Sequence, residues 1–105
     1  MESVMPVGGF WIPSGTHQRL VGLTAVKTIT LLPTEYGLYV QAISQNVRLT
    51  FDGTNPVASG NDIGFQLTPA MGPVFIAGFP GMVLSFIQET ATAVIQYQKL
   101  KLQGR

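Results

Sequence analysis

No cysteine occurs anywhere in the 105 residues. A disulfide framework and a thiolate metal site are therefore both excluded. The compartment stays open, because many extracellular proteins also lack disulfides. Charge is almost as scarce. Only 10% of the residues are charged, against about 25% in an ordinary soluble domain. Six basic and five acidic residues leave a net charge of +1, so there is no basic footprint for nucleic acid. Lys99, Lys101 and Arg105 gather near the C-terminus, but three charges make a solvated tail rather than a binding patch. No apolar run approaches the roughly 20 residues of a membrane span. Met1–Pro13 is apolar, yet it lacks a basic leader and is cut by Pro6, Gly8-Gly9 and Pro13. It is not read as a signal peptide. The expectation is a chain that binds neither nucleic acid nor membrane. Helical periodicity is missing too: apolar spacings of three and four are absent, and Gly and Pro recur too often for a helix of any length.

What is present is polar but uncharged. The apolar fraction is an ordinary 46%, and Thr, Gln, Ser, Asn and Gly stand where charges would be. A chain of this length suits one domain and buries roughly 60–70% of its unfolded surface. With net charge near zero, colloidal repulsion is weak. Such a surface suits being covered by neighbours better than crowded free solution.

The stretch Asn46–Leu67, NVRLTFDGTNPVASGNDIGFQL, carries the clearest pattern. Val47, Leu49 and Phe51 alternate with Arg48, Thr50 and Asp52, the period of a half-buried strand. Asp52-Gly53 breaks that strand, and Thr54-Asn55-Pro56 and Ser59–Asp62 fill a polar turn. Ile63, Phe65 and Leu67 resume the alternation, so the stretch reads as a hairpin around which the other strands are arranged. Before it, Thr24–Leu32 and Gly37–Ile43 read as strands, with Ser44-Gln45-Asn46 as a short turn into the hairpin. After it, the Pro- and Gly-rich Thr68–Pro80 holds a short strand at Val74–Ala77. Gly81–Gln88 is mostly apolar and reads as a central strand. Glu89-Thr90 is a tight connection to Ala91–Gln98, which Lys99–Leu102 extends. Roughly six to eight short strands divided by turn signals imply an all-β fold, an antiparallel β-sandwich of jelly-roll-like or immunoglobulin-like type. Met1–Gly15 has no usable period, and residues 1–22 are expected to form an irregular N-terminal arm, with the sandwich domain over residues 23–105. Phe10, Trp11 and Ile12 are the arm's large apolar residues, and exposing them to water is unfavourable. They are expected to dock, either on their own domain or on a neighbour, and are the candidate partner-binding residues. Gln41, Gln96 and Gln98 occupy strand faces where most sandwiches place Lys and Glu as protection against pairing.

No catalytic constellation is present, and no enzyme activity is expected. The single histidine, His17, lies in a polar stretch where a solvated or capping role is the ordinary one. Asp52, Asn55, Asn61 and Asp62 are hard-oxygen groups around one turn, but their spacing lacks the dense alternation of a calcium loop, and local turn bonding accounts for all four. No metal or other cofactor is expected. No G-x-S-x-G elbow accompanies the serines, nothing pairs the five carboxylates as acid and base, and no helix follows Gly53, Gly60 or Gly64 to make a phosphate loop. Tyr36, Tyr39 and Tyr97 could line a sugar-binding face, although aromatics at strand spacing are usually cross-strand packing.

The run VRLTFDGTNPVASGNDIGFQL, followed by VLSFIQETATAVIQYQKL, resembles small β-sandwich virion proteins of tailed bacteriophages. Those often carry a strand ending in an Asp-Gly-x-x-Pro-x-x-x-Gly turn, matched here by Asp52, Gly53, Pro56 and Gly60. They often close with a pair matched here by Phe86, Ile87, Gln88, Ala93, Ile95 and Tyr97. The resemblance spans about Leu23 to Leu100 and rests on structural motifs. It implies a capsid decoration or cement protein located in the virion, whose partners are the major capsid protein or other virion proteins. It also implies a homo-oligomer, with a trimer favoured. A head-fibre or spike base, or a neck or tail component, is the structural alternative. A carbohydrate-binding β-sandwich module is the alternative from another class.

Overall fold

The computed structural model describes residues 10–58 and 62–103. Eight strands form two antiparallel four-stranded sheets packed face to face, an all-β sandwich. They are β1 (Phe10–Leu20), β2 (Lys27–Thr30), β3 (Glu35–Ile43), β4 (Val47–Thr50), β5 (Phe65–Leu67), β6 (Val74–Ala77), β7 (Val83–Gln88) and β8 (Val94–Gln103). One sheet has the order β1-β8-β3-β6 and the other β2-β7-β4-β5. The only helical feature among the described residues is a 3₁₀ turn at Pro69–Met71.

Period-two patterning explains why these segments sit as they do. Leu38, Val40 and Ala42 of β3 are buried while Tyr39 and Gln41 between them are not. On β4, Val47 and Leu49 face inward. β7 contributes Leu84 and Phe86, and Phe86 is the largest fully buried side chain. With Leu23, Ile29, Leu31, Leu67, Met82 and Ile95 these make one core drawn from both sheets. Burying each such side chain contributes about 1.5–3 kcal/mol.

Two sequence expectations are corrected. Residues 10–20, expected as irregular arm, are a strand: β1 pairs with β8 along both of its halves, Phe10–Ser14 and Gln18–Leu20. A bulge between Ser14 and Gln18, with Gly15 at φ 73°, interrupts its alternation and hid it in the sequence. Residues 1–9 of the expected arm lie outside the described residues. The β4–β5 hairpin is not the centre. β5 is an edge strand, and β7 and β4 occupy the middle of that sheet. The short turn expected at Ser44–Asn46 is observed, and the connection expected at Glu89-Thr90 runs on to Ala93. Each carries the chain from one sheet to the other.

One polar node ties the layers together and a second braces one sheet. Glu35, buried at the start of β3, accepts from Ser14 Oγ (2.7 Å) and from Leu32 N–H (2.6 Å). Lys99 Nζ lies 3.5 Å from the same carboxylate and donates to Thr30 O at 2.9 Å. The node joins β1, β8 and β3 to β2 of the opposite sheet. At the other node Arg48 pairs with Glu89, donates to Gly64 O (3.0 Å) and reaches Asp62 (3.4 Å). Gln66 Nε2 donates to Glu89 Oε1 at 2.9 Å. These bonds hold the short β5 against its sheet.

Candidate interaction surfaces

The four sheet edges are not alike. β1 is broken by Pro13 and by its bulge and carries Arg19, and β2 carries Lys27. Bulges, prolines and charges of this kind stop an edge from recruiting another strand. On the opposite side of the sandwich β5 reads FQL and β6 reads VFIA, with no charge in either. No strand among the described residues pairs with their outer edges. Between them the sandwich stays open, as a cleft of about 520 Å³ lined by Phe51, Phe65, Met71, Val74 and Ile76 among others.

Phe65 defines this seam. It pairs directly with Leu49, so both side chains point to the inner face of the sheet. Leu49 is 2% exposed but Phe65 is 68% exposed, at the mouth of the cleft between β5 and β6. Phe65 stacks instead on Phe51, with ring centroids 5.7 Å apart and planes 15° from parallel. Met71, 52% exposed, stands at the same rim on the 3₁₀ turn. Val74 and Ile76 complete the floor from β6.

A second surface covers the outer face of the β1-β8-β3-β6 sheet. Trp11 packs edge-on against Phe75 (5.0 Å), and Phe75 packs edge-on against Tyr39 (5.4 Å). Beside Tyr39 lies a depression of about 420 Å³ lined by His17, Gln41, Pro73, Gln96 and Gln98.

The residues expected to bind a partner fall at the far end of β1. Phe10 pairs with Gln103 and is exposed; Ile12 pairs with Lys101 and is half-buried. Trp11 is committed within the same subunit to Phe75. The three tyrosines do not share a face. Tyr39 points outward, Tyr97 lies against the core, and Tyr36 occupies the irregularity between Glu35 and Gly37 in the β3–β8 pairing. At the β4–β5 turn Asp52 accepts from Thr54 N–H at 3.0 Å, which holds its carboxyl below the usual range. Asn61 lies outside the described residues. Among the described residues no group of three His, Cys, Asp or Glu side chains converges as a metal site would require, and no helix is long and apolar enough to cross a membrane. The seam escaped sequence reading because alternation identifies the face of a residue but not whether anything lies opposite it.

Comparison with known proteins finds no matching family model, no matching curated protein and no matching solved structure.

Proposed function

We propose that this chain is a structural subunit of a larger assembly, and that the unguarded seam between β5 and β6 is the surface that joins it. The carrying observation is Phe65, whose ring faces the interior of the sandwich yet is left 68% exposed. Phe51, Phe65 and Met71 leave roughly 300 Å² of apolar surface open along the seam, the size of the largest apolar patch on a typical monomer, which is often functional. One side of a standard interface covers about 800 Å², a little over half of it apolar. The seam supplies the larger part of that apolar share. The scarcity of charge supports the same reading, because a subunit covered by neighbours does not rely on self-repulsion to stay dispersed.

The assembly we infer is a bacteriophage virion, with this chain as a capsid decoration protein. That part rests on the sequence resemblance alone. In this role an all-β sandwich bridges capsid subunits, and many small apolar contacts add to the particle's resistance to internal pressure.

The test uses wild-type chain and a Phe65→Glu variant. Light scattering coupled to size exclusion is expected to give a multiple of the 11.3 kDa chain mass for wild type, threefold if the trimer holds, and a single-chain mass for the variant. Cosedimentation with capsids lacking this protein is expected for wild type and lost in the variant. A wild-type monomer that does not sediment with capsids overturns the proposal.

A further inference from the structure

The depression beside Tyr39 is separate from the seam and has a different chemistry. The bulge in β1 builds one wall. It lifts Gly15, Thr16 and His17 out of register with β8, and bulges commonly re-aim a side chain in this way. His17 Nε2 donates to Gln96 Oε1 at 3.3 Å. Gln98 Nε2 fixes the bulge from below, donating to Ser14 O (3.3 Å), Gly15 O (3.2 Å) and Lys99 O (3.1 Å). Gln41 pairs across the strands with Gln96, and Tyr39 with Gln98. Hydrogen-bonding capacity remains after these contacts. The Gln41 amide, Gln96 Nε2, Gln98 Oε1 and His17 Nδ1 have no side-chain partner among the described residues. Tyr39, steadied on one side by Phe75, is 47% exposed.

We propose that this depression binds a neutral oligosaccharide. No carboxylate, lysine or arginine lines it. A charged ligand would give up water here without meeting a counter-charge, which is unfavourable. A sugar hydroxyl both donates and accepts, and amides offer both functions in turn, so hydroxyl–water bonds are replaced one for one. The apolar face of a pyranose ring needs an exposed aromatic ring, and Tyr39 provides one with a hydroxyl at its tip. Few directed polar groups around an apolar anchor is the usual composition of a small-molecule site. Of the three tyrosines weighed in the sequence as a sugar-binding face, Tyr39 and Tyr97 border this depression and Tyr36 does not; three glutamines and a histidine supply its other polar groups.

The test is a ¹⁵N–¹H titration of full-length chain with maltohexaose, cellohexaose and chitotetraose, each to about 10 mM, where weak sugar binding is still visible. A sulfated heparin disaccharide is the charged comparison. The expected result is a set of shifts confined to His17, Tyr39, Gln41, Gln96 and Gln98, side-chain amides included, with at least one neutral probe. Tyr39→Ala and Gln41→Ala should each weaken it about tenfold or more. Both side chains lie on the outer face, and unchanged backbone spectra will show that the variants are folded. Phe65→Glu should bind as wild type does, which separates this site from the seam. No shift with any neutral probe, a response to the sulfated probe alone, or shifts that survive both variants overturns the proposal.

Discussion

Glu35 is the buried carboxylate on which three strands converge. Burial alone would raise its pKa, but the Leu32 N–H, the Ser14 hydroxyl and the Lys99 ammonium together outweigh burial and hold it below the ordinary glutamate value. Glu89 behaves alike: burial raises it, and Gln66, Arg48 and Asn46 bring it down. A group whose pKa is lower in the folded state contributes stability above its unfolded value and loses it as pH falls through its folded value. Denaturation midpoints should therefore drop between about pH 5 and pH 2, and drop less steeply in Glu35→Gln, which has no proton to take up there. Urea titrations across that range check this, and parallel curves for the two proteins would remove Glu35 from the account of acid sensitivity. At neutral pH the same variant should lose about 1–3 kcal/mol, because the half-buried Lys99 ammonium keeps its position without its counter-charge.

At the scale of elements, β1 is held by its edge and by one ring. Gly37 of β3 leaves the space in which Trp11 of β1 and Phe75 of β6 meet. A Cβ there would lie 2.8 Å from Phe75 Cε1 and 3.1 Å from Trp11 Cζ3. Glycine inside a strand often marks this kind of close approach. Gly37→Ala should push the rings apart, alter Trp11 emission and destabilise the fold by about 1–3 kcal/mol. Trp11 is the only tryptophan, so fluorescence reads the docking of β1 directly; unchanged emission would show that the rings yield without moving the strand. The same strand marks the limit of what could be read in advance. Alternation made β3, β4 and β8 legible, and Pro and Gly brackets isolated β6 at its observed bounds of Val74–Ala77. β1 was illegible because Pro13, Gly15 and the bulge break its period, and its partner β8 lies some eighty residues away. The seam and the Tyr39 depression were illegible for a related reason. Both depend on which strands end up as neighbours, and seven of the eight strands are joined to their sheet partners by non-local pairing, with only β4 and β5 consecutive.

For the whole molecule, the choice of edges decides how copies can meet. An isologous contact of seam on seam closes as a two-fold dimer, whereas a trimer requires the seam to meet a different surface of the next copy. Exposed Phe10 at one end of β1 and exposed Phe79 after β6 are the two most exposed aromatic rings outside the seam among the described residues, and the strongest candidates for such a heterologous contact. A threefold mass would therefore point to the seam plus one of these, and Phe10→Ser or Phe79→Ser should then dissociate it as Phe65→Glu does. A twofold mass sensitive only to Phe65→Glu would overturn the trimer and keep the seam. Salt separates the seam from its charged neighbourhood. The seam strands carry no charge, so association through them should be unchanged from low to high sodium chloride and strengthened by sulfate, which favours apolar burial. Of the nearby charges, Arg48, Asp62 and Glu89 are engaged with one another, and Asp52 accepts from Thr54 N–H. Loss of mass at high sodium chloride would mean that those ions are shared with a neighbouring copy, and that the interface lies over the Arg48 node instead of over Phe65.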